Sequence, residues 1–122
     1  MAQDQNDILD SELTRHQTEI ALKKAWNGYE LSNKENNLQG KKYYAWKIYK
    51  LQRELGVLAT PFKELKMLAL EFYRKNRELF NNEVIEGEKV LKVMLETGYM
   101  PDKPIRTKKV NDSESNGAAG LL

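Results

Sequence analysis

The chain has no cysteine, a single histidine and only three prolines in 122 residues. Without cysteine there is no disulfide, no thiolate metal ligand and no cysteine nucleophile. The one imidazole, His16, sits between Arg15 and Gln17 in a polar stretch. A histidine metal site or proton relay needs partners, so His16 reads as a solvent-facing side chain. Glycine-rich phosphate loops, aspartate-rich calcium loops and the paired-histidine zinc motif are all missing. So is the Glu-x-x-His repeat with which helical bundles build carboxylate metal centres. The four serines, Ser11, Ser32, Ser113 and Ser115, fall at caps, loops or the C-terminal stretch, away from any base in the sequence. No catalytic, cofactor-binding or metal-ligating residue is therefore assigned, and the expectation is a protein that is not an enzyme.

Long apolar runs are lacking too. None approaches the roughly 20 residues that cross a bilayer. The opening MAQDQNDILD carries three aspartates and no basic residue, unlike a secretory signal. These features predict a soluble protein without membrane contact, cytoplasmic or held within a virion or other assembly. Net charge is only +2, too little for a polycation that coats nucleic acid indiscriminately.

The charge is unevenly placed. Residues 1–40 hold seven acids and four bases, a balance of −3, whereas residues 41–66 hold seven bases and two acids, a balance of +5. Residues 67–100 come to −1 and the remainder to +1. An acidic first segment is thus followed by a basic second one.

Periodicity and punctuation predict an all-α fold, a small bundle of about four helices with a flexible C-terminal tail. Residues 1–7 are expected to be a flexible N-terminus, 8–98 the helical domain, and 99–122 an extended or disordered tail. The first helix is expected from Asp7 or Asp10 to near Ser32, with Leu9, Leu13, Ile20, Leu22, Trp26 and Tyr29 as its apolar positions. SNKENNLQG, residues 32–40, reads as a polar connection. The second helix is KKYYAWKIYKLQREL, residues 41–55, stopped by Gly56. Thr60 as cap with Pro61 in the first turn predicts a third helix through about Phe80, with Phe62, Leu65, Ala69, Phe72, Asn76 and Leu79 along its seam. Glu64, Glu71 and Glu78 recur every seven residues and read as an exposed stripe, Glu71 within reach of Lys75. Asn81 and Asn82 mark a break before a fourth helix over Glu83 to Thr97, with Val84, Val90, Leu91, Met94 and Leu95 toward the core. Beyond Gly98, Pro101 and Pro104 prevent further helix, and NDSESNGAAGLL has the composition of a disordered end.

Functional interest centres on the second helix. At ~100° per residue, Tyr44, Ile48, Leu51 and Leu55 form one narrow aliphatic seam. Nearly opposite lie Lys42, Trp46, Tyr49 and Arg53, with Lys47 and Lys50 on the flanks. Two arrangements suit this face. Trp46 and Tyr49 could meet Trp26 and Tyr29 of the first helix, with cationic stems lying over the rings. Alternatively the face is open, and Lys42, Trp46, Tyr49, Lys50 and Arg53 form a binding surface, since Trp, Tyr and Arg dominate binding hot spots.

The functional expectation is a non-catalytic protein-binding or assembly subunit of a virus or larger complex, using a helical surface and the C-terminal tail to engage a protein partner or form a homo-oligomer. Pairing of the acidic first helix with the basic second helix of another subunit would give such an oligomer. The alternative is an accessory nucleic-acid-binding protein, stacking bases on Trp46 and Tyr49 among Lys41, Lys42, Lys47, Lys50 and Arg53.

Overall fold

Residues 2–104 are described by the structure, a computed structural model, with side chains from residue 12 onward. The fold is all-α: α1 (Ala2–Lys34), α2 (Leu38–Leu55), α3 (Lys63–Lys75) and α4 (Gly87–Glu96). A short 3₁₀ turn, Arg77–Phe80, follows α3. The expected tail from residue 105 onward lies outside the described residues.

The most extensive helix–helix contact joins α1 and α2, connected by only residues 35–37. Asn36 takes the left-handed backbone that this tight reversal needs, at φ 56°. Asn37 then caps α2, its side chain accepting from the Gly40 N–H at 3.0 Å. The polar connection read over 32–40 is thus much shorter, because Asn37 starts α2 three residues ahead of Lys41. Across the pair, Gly28 faces the Tyr44 ring and Gly40 faces Ser32. Position sums of 72 at both contacts establish an antiparallel register. The acidic and basic helices expected to pair between subunits therefore pair within one chain.

Gly28 reads in the sequence as a weak point of the first helix, yet the structure gives it a packing role. A Cβ at this position would overlap the Tyr44 ring. Gly28→Ala is therefore expected to cost about 1–3 kcal/mol through overpacking, although alanine favours helix by about 1 kcal/mol. Urea denaturation measures this; a stability gain would mean that α1 and α2 are not held in close contact.

The core lies around α2 and α3: Ala45, Trp46, Ile48, Tyr49, Phe62, Leu65, Leu68, Ala69, Phe72, Phe80, Val90 and Met94 are buried with Ala25 of α1. Gly56 closes α2 at φ 73°, as its position after Leu55 predicts. The start of α3 departs from expectation. Thr60 does not cap it; its hydroxyl accepts from Gln52 Nε2 at 3.0 Å, and its N–H donates to Gln52 Oε1 at 2.9 Å. Phe62 stays extended so that its ring reaches Trp26 and Tyr29, and α3 begins at Lys63.

The end of α3 also moves. Asn76 is its C-cap, with Nδ2 donating to the Phe72 carbonyl at 2.9 Å, and helix beyond it continues only as the 3₁₀ turn. That change of pitch swings Leu79 to solvent (56% exposed) and Phe80 into the core. Leu79 is therefore not a core residue. Asn81 and Asn82, at φ 54° and 58°, make the expected break. Residues 83–86 follow as loop, Tyr73 Oη donating to the Glu83 carbonyl, so α4 starts only at Gly87. Val84, expected in the core, is 96% exposed for this reason.

Candidate functional site

The cation–aromatic face of α2 is closed. Trp46 is fully buried and Tyr49 is 7% exposed, so the expectation of an open surface is corrected. The cover is not α1, because Trp26 and Tyr29 pack on Phe62 instead. It is the segment after α4. Gly98, at φ 74°, turns the chain out of α4 and back across α2. The Trp46 indole N–H donates to the Tyr99 carbonyl at 2.9 Å. The Trp46 ring stacks on Tyr49 (centroids 5.5 Å apart) and meets Tyr99 edge-on at 5.7 Å. Lys50 Nζ lies 3.3 Å from the Met100 sulfur, Pro101 is buried, and Gln39 Nε2 donates to the Asp102 carbonyl at 2.9 Å. Pro104 shares the lining of a small pocket with Gly28, Asn37 and Tyr44. Residues 99–104 thus form a strap running toward the N-terminal end of α2.

The cations of the face are also engaged. Lys42 pairs with Glu71 of α3, its side chain 14% exposed. Lys47 lies 5.5 Å from the Tyr43 ring centre in a cation–π contact. Arg53 and Lys41 keep solvent contact. Lys42, Trp46, Tyr49 and Lys50 are thus brought together as one packed layer, with Arg53 at its edge. This layer holds the bundle together and leaves no aromatic platform for a base to stack on.

The acidic stripe read along α3 is broken up in the same way. Glu78 is exposed and Glu71 is taken by Lys42 rather than by Lys75. Glu64 is fully buried. Its Oε1 accepts from Tyr29 Oη at 3.0 Å, while Oε2 has no hydrogen-bond partner. The first turn of α3, where backbone N–H groups favour negative charge, offsets part of the cost of burying it. Tyr29→Phe would strip the carboxylate of its donor and is expected to cost about 1–3 kcal/mol. Tyr29→Phe with Glu64→Met should recover most of that loss, because both polar groups then leave together. Unfolding of the two variants compares them; a double variant no more stable than Tyr29→Phe would show that Glu64 serves packing alone.

Two phenols are held above their ordinary range. Burial, then the hydrogen bond and charge of Glu64, pushes Tyr29 up to about 12. Burial, then the charges of Glu71 and Asp102, raises Tyr99. The unfolded chain releases these protons near pH 10, so their contribution to stability is complete below that pH. It is lost as pH rises toward about 12, where Tyr29 ionises in the folded state.

An open cleft of about 330 Å³ lies between the C-terminal ends of α3 and α4, lined by Glu71, Phe72, Lys75, Asn76, Thr97 and Tyr99. The Thr97 hydroxyl in its lining donates to the Met94 carbonyl at 3.1 Å. No group of three or more metal-ligating side chains occurs among the described residues. None of the described helices is long and apolar enough to cross a membrane.

No protein family, curated protein or solved structure matches the chain.

Among the described residues, one apolar surface left without cover lies on α1. Extending the α1–α2 register puts Leu55 level with Gln17, so α1 continues past the end of α2 by about 15 residues, or about 22 Å. Side chains 12–17 are all exposed, and the first of the described side chains to be buried is Ala25. Leu13 and Ile20 stand in solvent at 56% and 44% exposure. Leu13 and Ile20 are seven residues apart and so share one face, a signal present in the sequence. The same spacing equally suits a helix that uses both residues in its own core.

Proposed function

We propose that the protein is a non-catalytic protein-binding or assembly subunit whose contact element is the projecting part of α1. The observation that carries this reading is a helix that runs past the end of α2 while presenting on one side Leu13, in the projecting part, and Ile20, just inside the paired region. Helices without tertiary packing are marginal in water at this length, and an amphipathic helix gains its stability from what covers its apolar face. A helix laid against a partner helix or groove meets both requirements. Binding of nucleic acid through residues 41–53 has less support, since its stacking residues are buried beneath the strap. A photo-crosslinking amino acid placed at Ile20, in the full chain in its source cell, tests the proposal. Protein adducts at Ile20 and none at Arg53 are expected. Adducts to nucleic acid, or adducts to nothing, would overturn it.

A further inference from the structure

Resting on that reading, we infer that the partner of the projecting helix is a second copy of this chain, joined α1 to α1 in antiparallel fashion. Three observations lead there. The first is geometric. From Leu13 to Ile20 is seven residues and from Ile20 to Leu31 eleven, each within about 20° of whole turns at ~100° per residue. All three are exposed, at 56%, 44% and 39%. Ala25, which faces the chain's own bundle, lies about 120° around the helix from this stripe. A second helix can therefore lie along the stripe without displacing α2.

The second observation is charge. Within α1, residues 2–12 contain Asp4, Asp7, Asp10 and Glu12 and no base, a balance of −4. Residues 13–24 contain Arg15, Lys23 and Lys24 against Glu19, a balance of +2. Side-by-side parallel copies would set the acidic stretch on itself. Antiparallel copies related by a two-fold axis between His16 and Gln17 set the end of each acidic stretch, residues 9–12, along residues 21–24 of the other copy, with Asp10 level with Lys23. In that register Leu13 of one copy meets Ile20 of the second, and the reverse. The contact is isologous and closes as a dimer.

The third observation is length. In this register residues 9–24 of the two copies lie along each other, about 24 Å or just over two heptads of contact. That gives a small interface, and the dimer is expected to form and dissociate with concentration rather than to be permanent.

Sedimentation equilibrium of the full chain over a range of concentrations tests this inference. A monomer–dimer equilibrium that weakens with added salt is expected. Leu13→Asp with Ile20→Asp should raise the dissociation constant at least about 100-fold, since four half-exposed apolar side chains lose their burial. Both sites are exposed in the single chain, so at concentrations where the parent chain is monomeric the melting transition of the bundle should not move. Lys23→Glu with Lys24→Glu should weaken the dimer without touching any apolar residue. Orientation is read with single cysteines, which the cysteine-free chain makes unambiguous. Gln17→Cys should oxidise to a disulfide-linked dimer and Lys24→Cys should not. A chain monomeric throughout, a dimer indifferent to Leu13→Asp with Ile20→Asp, or linkage through Lys24→Cys instead, overturns the inference. If the chain is monomeric yet Ile20 crosslinks to a different protein, only the second-copy assignment falls. If it is monomeric and Ile20 crosslinks to no protein, the proposed function falls with it.

Discussion

A chain ending at Gly98 is expected to lose about 3–6 kcal/mol of stability relative to one ending at Pro104. Composition alone argues the opposite, that everything after Gly98 is separable from the fold. The structure decides the matter through three contacts. Tyr99 meets both Trp46 and Phe72 edge-on, with ring centres 5.7 and 5.4 Å away. Its carbonyl receives the indole proton of Trp46, and exchanging that bond for one to water costs about 0.5–1.5 kcal/mol. Pro101 is buried a little further along. Losing a packed aromatic ring typically costs about 3–5 kcal/mol, and Tyr99 is only partly buried, so the sum stays below a simple addition. Against the ~5–15 kcal/mol available to a domain of this size, the truncated chain would be marginal at best. Thermal and urea unfolding of the two chains measure the difference, and equal stabilities would show that the strap merely rests on α2.

The strap also explains what sequence reasoning could reach and what it could not. Gly56, Gly98 and the Asn81–Asn82 pair mark real ends because the left-handed backbone they adopt is a local property. Phe72 and Leu65 were legible as core because they repeat at helical spacing on one helix. The cover over Trp46 was not, since its donor–acceptor pair joins residues 53 positions apart. Proline at 101 and 104 correctly excluded helix, but a non-helical segment can still be packed, and Pro101 is. Glu64 misled for a related reason. Spacing of seven puts Glu64, Glu71 and Glu78 on one side of an ideal helix, yet Tyr29 of α1 reaches over the first of them and the 3₁₀ turn carries off the last. Leu13 and Ile20 show the converse limit: periodicity identifies an apolar face but does not say which chain covers it.

Trp46→Ala is expected to destabilise the protein by about 3–5 kcal/mol, and the same substitution separates the two roles open to this residue. If Trp46 were a binding hot spot on an open face, truncation would leave unfolding nearly unchanged and weaken a partner by ~2 kcal/mol or more. Its environment argues for the first outcome. The side chain is fully buried, stacked on Tyr49, and bonded through its N–H to the strap. Removing it leaves a cavity between α2 and residues 99–101 that the neighbouring rings fill only by abandoning their edge-on contacts. Trp46→Phe keeps most of the ring volume and loses the hydrogen bond, so it should cost less. The difference between the two variants reports the packing term. Fluorescence gives an independent reading. In a Trp26→Phe background, confirmed to fold, Trp46 should emit at a blue-shifted wavelength and resist a neutral quencher. Ending that chain at Gly98 should shift the emission to the red and admit the quencher, since Tyr99 and Pro101 are then gone. A red-shifted, accessible Trp46 in the full-length chain, with a loss below about 1 kcal/mol for Trp46→Ala, would instead return residues 42–53 to the surface as a binding face.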